Sequence, residues 1–503
     1  MPSETRLLRL RSDDSVVVTL DALEPGTALP LDNTALLCRQ PIPAGHKVAA
    51  IDIPAGAPVL KYGQVIGFST QNITAGEHVH VHNLAFSDLP ERGVTSGVAN
   101  PLPTVKPQTF QGIVRADGRV ATRNYVGIIT SVNCSATVAK LVADRIRTSG
   151  RLADHPSIDG VVAITHQTGC GLADDGEGLQ LLRRTLSGYA HHPNFGALVV
   201  IGLGCEVNQI AELDLPTTTP VVGLTIQEAG GTAAAVRAGV EAIEALLDGM
   251  VVERQPVSAA ELMLGLECGG SDGYSGITAN PALGVAADLL VAHGGTAILG
   301  ETPEIYGAEH LLAERAINDD VSRRLLDRIS WWREYTAKHG GTLDNNPSPG
   351  NKDGGISTIL EKSLGAVAKS GSSPLTDVRL YAEPVTTKGL VFMDTPGYDP
   401  VSVTGMVAGG ANVVCFTTGR GSVYGCKPVP SLKLATNTPM YHRMSEDMDI
   451  NCGIIADGLI SVDEMGQQIF QRILATASGK LTASEELGLG DEEFAPWQLG
   501  AVM

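Results

Sequence analysis

Five cysteines stand where apolar stretches of the chain end, beside glycine or in short polar turns. They are Cys134 in TSVNCSATV, Cys170 in THQTGCG, Cys205 in VVIGLGCEVNQ, Cys268 in LGLECGGSDG and Cys426 in GSVYGCKP. Open α/β sheets bind ligands where their strands end, whereas a cysteine that only fills a core more often lies inside the apolar stretch. No two of the five have the CxxC spacing of a zinc ribbon or a thioredoxin-like site, so any metal site must combine distant segments. The pattern indicates a metal site with soft ligands.

Basic side chains gather in glycine-rich segments of a strongly acidic chain. The formal net charge is -19, which repels a nucleic-acid backbone and an anionic membrane, so we expect neither as a partner. The basic residues are Arg115, Arg119, Arg123, Lys352, Arg420 and Lys427. They could form a local pocket for an anionic small molecule, or they could be ordinary solvated surface charges.

The segment MPSETRLLRLRSDDS at the start of the sequence lacks the apolar core of a secretory signal. No stretch approaches the roughly 18 apolar residues of a membrane span. We therefore expect a cytoplasmic protein, in which the eight cysteines are thiols or metal ligands rather than disulfides.

The elements that must position these residues are predicted from composition and periodicity. With 58 glycines and 4% aromatic residues in 503, the chain is typical of an α/β protein with many tight turns. Short alternating strands predict an all-β domain over residues 1–90, and a proline-rich stretch over 91–109 reads as a linker. Alternating strand and helix patterns predict two doubly wound, mostly parallel α/β domains, at 110–255 and 256–503. A long glycine-rich connection, NNPSPGNKDGGISTILEKSLGAVAKSGSSP, is expected to be a functional or disordered loop.

Seven motifs occur in one order over most of the chain: GIVRADGRVATRN, SVNCSATV, THQTGCG, GLGCEVNQ, ECGGSDGYSGITANPALG, NPSPGNKDGG and FTTGRGSVYG. This combination resembles the altronate/galactarate dehydratase family, and the N-terminal domain resembles a SAF-type β-clip. The resemblance implies a hydro-lyase that makes a 2-keto-3-deoxy sugar acid with ferrous iron, or with manganese in its place. GHKVAAIDIPAG is closer to the altronate branch and MDINCGIIADG to the galactarate branch, so the substrate stays open. We expect a homo-oligomer.

A dehydratase of this kind needs metal ligands, because a divalent ion stabilises the charge that forms when the proton α to a carboxylate is removed. The ligand set that we predict is Cys134, His166, Cys205 and Cys268, since thiolate and imidazole suit iron. Three thiolates would also suit a [4Fe-4S] cluster with one open iron. For each cysteine alone, the alternative is a small buried hydrophobic side chain.

Other polar residues are candidates for catalysis and substrate binding. His46, His80 and His82 form a second possible set for metal, substrate or acid chemistry, since residues two apart in a strand face one side; a hydrated surface strand is the alternative. Asp272 and Glu206 stand next to candidate ligands as bases, unless they are turn residues. The predicted catalytic residues are His46, Glu206, Asp272 and Lys352. The predicted substrate-binding residues are Lys47, Lys61, Arg123, Asn124, Asn280, Thr418 and Arg420.

Two other classes of protein compete with the dehydratase. A sugar-acid sensor would bind the acid without releasing a keto product. An NAD-dependent oxidoreductase would share the doubly wound sheet, but no GxGxxG motif opens a helix and GxxxxGK[ST] is absent, so we expect no nucleotide cofactor.

Overall fold

The protein is described by a computed structural model that covers residues 5–31, 34–89, 95–97 and 101–500. An all-β N-terminal unit is followed by two α/β units, one built on a four-stranded and one on a seven-stranded parallel sheet. This arrangement confirms the predicted fold class. The linker predicted at 91–109 lies partly outside the described residues. No helix within the described ranges is long and apolar enough to cross a membrane.

The N-terminal unit consists of short antiparallel strands separated by turns. Four strands form the sheet β1-β2-β5-β8, three form β6-β7-β9 and two form the hairpin β3-β4. The strands are β1 (Leu7–Leu8), β2 (Val16–Thr19), β3 (Ala28–Leu31), β4 (Thr34–Leu37), β5 (Lys47–Ala49), β6 (Pro58–Lys61), β7 (Gln64–Ser69), β8 (His78–Val79) and β9 (Leu84–Ala85).

The first α/β unit has the parallel strand order β13-β12-β14-β15. Because β13 and β14 lie on opposite sides of β12, the chain reverses direction across the sheet at β12. The elements are β10 (Thr109–Val114), β11 (Val120–Ala121), β12 (Tyr125–Thr130), α1 (Ala136–Thr148), β13 (Gly160–Ile164), α2 (Glu177–Ala190), β14 (Phe195–Gly202), β15 (Val221–Thr225), α3 (Thr232–Leu247) and β16 (Gln255–Ser258). Strand β10 pairs with β11 and β16 in a separate antiparallel sheet.

The second α/β unit has the parallel strand order β19-β20-β18-β17-β21-β22-β23. Its strands are β17 (Met263–Cys268), β18 (Thr296–Leu299), β19 (Leu375–Arg379), β20 (Gly389–Met393), β21 (Val413–Thr418), β22 (Ser431–Ala435) and β23 (Ile450–Asn451). Its helices are α4 (Ala279–Ala292), α5 (His310–Ala313), α6 (Asp319–Lys338), α7 (Pro349–Asp353), α8 (Ile359–Val367), α9 (Asp399–Ala408), α10 (Thr438–Arg443), α11 (Val462–Ala477) and α12 (Ala483–Glu486). The glycine-rich connection expected to be a loop therefore contains α7 and α8.

Shared hydrophobic cores join the three units. One core combines N-terminal side chains such as Val16 and Val59 with Leu264 of β17. A second combines Ile129 of β12 with Phe416 of β21. Both α/β sheets place the carboxyl ends of their strands at one edge, and the strand order reverses between β17 and β21, which is where ligands bind in sheets of this kind.

Candidate active site

A cleft of about 360 Å³ lies between the N-terminal unit and the carboxyl edge of the seven-stranded sheet. Asp272 follows β17, Arg420 follows β21 and Asn437 follows β22, so three neighbouring strand ends contribute to one wall. His46 from the N-terminal unit and Asp353 from α7 line the cleft as well. The volume is that of a pocket for a small molecule.

Glycines allow the N-terminal unit to approach this edge closely. A Cβ atom on Gly273 would lie 2.0 Å from the carbonyl oxygen of Gly45, and one on Gly355 would lie 2.7 Å from the same oxygen. Any side chain at these positions would push the two units apart. Tyr274 adds a hydrogen bond from its hydroxyl to the Leu20 carbonyl, at 3.2 Å.

Three histidines from the N-terminal unit cluster beside the cleft. His46, His78 and His80 each offer a ring nitrogen, and these nitrogens lie within 4.8 Å of one another. The contact between His46 Nδ1 and His78 Nε2 is 3.0 Å, and His80 Nδ1 lies 3.2 Å from the Ser357 hydroxyl of the second α/β unit. Sheet pairing explains the cluster, because β5 and β8 are neighbours and Val48 is opposite His78.

The surroundings of these imidazoles favour the neutral form near pH 7. Burial and then the neighbouring His46 ring lower the pKa of His78 to about 3. Burial and the Lys47 ammonium lower the pKa of His80 to about 4, and the same two causes lower that of His46. A neutral imidazole is the form that binds divalent metals, so the cluster suits iron, zinc or manganese.

Asp272 is a buried carboxylate on the cleft wall. Its Oδ1 accepts hydrogen bonds from Thr436 Oγ1 at 2.8 Å, Ser275 Oγ at 3.0 Å and the Tyr274 amide at 3.1 Å. Its Oδ2 accepts from Asn437 Nδ2 at 2.9 Å. Burial raises the pKa of Asp272 above its usual value although these hydrogen bonds oppose the shift. A fixed carboxylate with a raised pKa is a suitable general base.

The cleft also carries guanidinium groups that can bind an anion. Arg420 and Arg443 line it with exposed side chains, and in the described parts of the chain neither has a carboxylate partner within 4.0 Å. Arg6 lines it too, but its guanidinium is 2.7 Å from Asp21. Two unpaired guanidinium groups give this acidic protein a local site for carboxylates.

Three family models of known proteins together match most of this chain. The altronate/galactarate dehydratase SAF domain matches residues 5–87, the second domain of D-galactarate dehydratase/altronate hydrolase matches 112–250, and the C-terminal domain of D-galactarate/altronate dehydratase matches 259–502. The chain belongs to the altronate/galactarate dehydratase family. Membership confirms the predicted resemblance and the predicted enzyme class, a hydro-lyase.

Relatives in this family match the chain along nearly their whole length. Altronate dehydratase of Bacillus subtilis strain 168 is 35% identical over 485 residues, which cover 95% of this chain and 96% of the relative. Galactarate dehydratase (L-threo-forming) of Escherichia coli K12 is 38% identical over 494 residues, which cover 95% of this chain and 94% of the relative. Altronate dehydratase of Escherichia coli K12 is 37% identical over 487 residues, which cover 95% of this chain and 96% of the relative.

The four metal ligands predicted for this family member do not come together. Cys268 is buried at the end of β17, where its Sγ lies 3.4 Å from Glu301 Oε2 and 3.5 Å from Glu304 Oε2. Lys369 and Lys362 pair with these two carboxylates, so the cluster contains its own counter-ions. Burial raises the pKa of the Cys268 thiol well above its usual value. The prediction that Cys268 shares a metal with Cys134, His166 and Cys205 is wrong.

His166 and Glu206 brace loops of the first α/β unit. His166 Nε2 contacts the Thr130 carbonyl at 3.0 Å and its Nδ1 accepts from the Thr168 amide at 3.3 Å, so neither nitrogen is left for a metal. Burial acts to raise the pKa of Glu206, but hydrogen bonds from Ser131 and backbone amides outweigh it and lower that pKa. Glu206 is therefore a structural anion, which corrects its prediction as a base.

Lys47 and Lys61 hold the N-terminal unit to α8 instead of binding substrate. The Lys47 ammonium is 2.8 Å from Glu361 Oε2 and the Lys61 ammonium is 2.9 Å from Oε1, with all three side chains buried. Burial lowers the pKa of Lys47 to about 8. Burial raises the pKa of Glu361, yet the two ammonium groups reverse this and bring it to about 2. A carboxylate shared by two lysines fixes the interface beside the histidine cluster.

Four more predicted substrate-binding residues serve the fold. Arg123 is buried against Glu485, 2.6 Å away, and the Asn124 amide group donates to the carbonyls of Ser157 and Met250. Asn280 bridges Gly365 and Thr417, and the Thr418 hydroxyl accepts from the Gly421 amide. Each side chain is buried and held by protein groups, although Asn124 Oδ1 has no hydrogen-bond partner among the described residues, and none of the four lines the cleft, which argues against their assignment to substrate.

Three predicted residues, His46, Asp272 and Arg420, do line the cleft. Lys352 is half-buried at the end of α7 beside Asp353 and does not line it. His82 is exposed, with its ring centroid 5.3 Å from that of His78. Sequence reasoning missed His78, Asn437 and Arg443. Only His78 carried a signal, since HVHVH places His78 and His80 on one face of a strand.

Proposed function

We propose that this chain is a metal-dependent dehydratase of a six-carbon sugar acid and releases a 2-keto-3-deoxy acid. One observation carries the proposal: a single cleft borders three clustered imidazoles and contains a buried carboxylate and two guanidinium groups that have no carboxylate partner among the described residues. This set supplies a metal site, an anion site and a base, which are the parts that elimination of water from a hydroxy acid requires.

His46, His78 and His80 would hold the divalent ion. Imidazole ligands suit ferrous iron, and manganese is acceptable to the same donor set. The bound ion would act as a Lewis acid on a substrate carboxylate and hydroxyl. In this assignment His46 is a metal ligand rather than the predicted acid.

The other cleft residues bind and deprotonate the substrate. Arg420 and Arg443 bind carboxylate oxygens and orient the chain of the acid along the cleft. Asp272 accepts the proton from C2 at Oδ2, which carries a single hydrogen bond, from Asn437. The C3 hydroxyl then takes up a proton and leaves as water. The enol that remains gives up the proton of its C2 hydroxyl and gains one at C3 to become the keto acid.

The two arginines suggest how the branches of the family differ. An aldarate such as galactarate has a carboxylate at each end, whereas altronate has one. If Arg420 binds the carboxylate that both acids share and Arg443 binds the second carboxylate of an aldarate, an aldarate gains from both arginines and altronate from one. Replacing Arg443 by alanine should therefore raise KM for galactarate more than KM for altronate. We expect a difference of about tenfold, which is the effect of losing one charge-assisted hydrogen bond.

The experiment is a substrate screen under anaerobic conditions. Full-length protein is treated with chelator, reloaded with ferrous iron and incubated with altronate or galactarate, with gluconate as a control, and 2-keto-3-deoxy product is measured. We expect iron-dependent product from altronate or galactarate and no effect of added NAD. Calorimetric binding of an acid without product would identify a sensor and reject the proposal.

A further inference from the structure

Three cysteines follow three neighbouring strands of the four-stranded sheet. Cys134 comes after β12, Cys170 after β13 and Cys205 after β14, and the strand order is β13-β12-β14. All three are free, exposed thiols, whereas the other five cysteines of the chain are buried. Because the strands are parallel, their carboxyl ends bring these loops to one edge, at the point where the chain reverses direction across the sheet.

Hydrogen bonds tie the three loops to one another. The Asn133 amide donates to the Thr168 carbonyl at 2.9 Å, and the Asn208 amide donates to the Gly169 carbonyl at 3.1 Å. Asn208 Nδ2 also donates to the Ser131 carbonyl, at 2.9 Å. Each of the three cysteines therefore lies within three residues of a hydrogen bond that joins its loop to the loop of another of these cysteines.

The loops are built for close approach. Gly169 has φ +102, and a Cβ atom there would lie 2.4 Å from the Ser131 carbonyl oxygen, so only glycine lets the second loop reach the first. The buried pair of Ser131 Oγ and Glu206 Oε1, at 2.6 Å, joins the first loop to the third. His166, satisfied at both nitrogens, fixes the start of the second loop. These residues position the three loops that carry the thiols.

The positions of the thiols argue against a single ion bound by all three. A tetrahedral ion with metal–sulfur bonds of about 2.3 Å holds its thiolates about 3.8 Å apart. The Sγ atoms of Cys134, Cys170 and Cys205 do not all lie within 4.8 Å of one another, unlike the donor atoms of the histidine cluster. A cubane cluster spreads its thiolates, because each one binds a different iron.

We propose that Cys134, Cys170 and Cys205 bind a [4Fe-4S] cluster whose fourth iron has no protein thiolate. The cluster takes three of its ligands from one sheet edge and none from the buried Cys268. The fourth iron keeps a position for an oxygen donor such as water or a hydroxy acid. This site lies in the first α/β unit, whereas the cleft lies between the N-terminal and second α/β units, and the inference does not depend on the function proposed for the cleft.

The test measures acid-labile sulfide, which a mononuclear iron site lacks. Full-length protein is reconstituted anaerobically with ferrous iron and sulfide, desalted, and assayed for iron, sulfide and the electron paramagnetic resonance signal after reduction by dithionite. We expect about four sulfides per chain, as a cubane contains. Cys134→Ser, Cys170→Ser and Cys205→Ser should each lose most of the sulfide, about tenfold.

Matched controls separate this site from the cleft and from misfolding. Cys38→Ser removes a thiol in the N-terminal unit and should keep the sulfide, and so should His78→Ala, whatever it does to turnover. Thermal unfolding of the three serine variants checks that they fold, with alanine variants as a second set. Iron without labile sulfide in the wild type, or full sulfide in all three folded variants, would overturn the proposal.

Discussion

His46 Nδ1 and His78 Nε2 are 3.0 Å apart, which requires one of the two nitrogens to be bare and the other to carry a proton. Two imidazolium ions cannot share this contact, because each would present a proton and a positive charge to the other. Two neutral rings satisfy this contact, and burial, which lowers the pKa of both residues, favours them. Neutral rings can bind a cation once the shared proton moves to the other nitrogen of its ring, and neither ring has to lose a positive charge first.

His78→Ala should cost the protein its divalent ion and most of its turnover. Removing one of three imidazole ligands weakens the metal site, and we expect kcat/KM to fall about 100-fold, or about 2.7 kcal/mol of transition-state stabilisation. Metal content and steady-state rates are measured together. The matched control is His82→Ala, which removes an exposed ring beside His78; equal losses in both variants would rule out the assignment.

The fold could be predicted because its strands are apolar and its helices periodic. The runs around β12, β14, β17 and β21 are long enough to identify a parallel sheet from pattern alone. The glycine-rich connection was not predictable as helical: α7 has only five residues, and a capping box at Ser348 and Asn351 stabilises it, a local signal that the surrounding glycines obscure.

The site was predictable only in part, because strand ends identify ligand positions but not the sheet to which they belong. Cys268 and Cys205 both follow apolar strands, yet they lie on different sheets and only Cys205 is exposed. The role of Lys61 depends on Glu361, 300 residues further along the chain. His78 belongs to a strand of two residues, and the alternation in HVHVH places it on one face with His80 but does not show that His46 joins them.

Glu361→Gln should destabilise the protein strongly, because it leaves two buried ammonium groups with no counter-ion. Breaking a buried ion pair from one side costs about 3–5 kcal/mol. We expect the midpoint of urea unfolding to fall accordingly and the N-terminal unit to become sensitive to protease. The comparison is Asp154→Asn, which removes an exposed partner 3.9 Å from Arg151 and should change stability by less than about 1 kcal/mol. Similar losses of stability in the two variants would contradict the interpretation that Glu361 is the counter-ion of both lysines.

His192 should make stability depend on pH below neutrality. Its Nε2 lies 3.0 Å from the Ala411 carbonyl and its Nδ1 accepts from the Asn194 amide at 3.1 Å, so the folded state needs the neutral ring. Burial lowers the pKa of His192 from 6.5 to about 4, although the Ala411 carbonyl opposes this, and Arg115 and Arg119 lower it further.

The unfolded chain therefore takes up a proton at His192 below pH 6.5 while the folded protein does not. The free energy of unfolding is therefore unaffected by His192 above pH 6.5 and decreases as the pH falls from 6.5 towards 4. At pH 5 the decrease is about 2 kcal/mol. His192→Gln keeps an amide donor and acceptor but does not titrate. Urea unfolding at pH 7.5 and pH 5 should show a smaller drop for the variant than for the wild type, and identical drops would show that His192 is not responsible.

Asp272→Asn should abolish turnover while the metal stays bound. The amide has nearly the shape of the carboxylate but cannot accept a proton from C2, so we expect kcat to fall by at least about 100-fold, the lower end of what a general base contributes. Because Asp272 is outside the histidine cluster, iron content should equal that of the wild type, which distinguishes this variant from His78→Ala. Since the new amide group faces the donors Thr436 and Asn437, thermal unfolding must show that the variant folds. A folded, iron-loaded variant with undiminished kcat would mean that another group removes the proton.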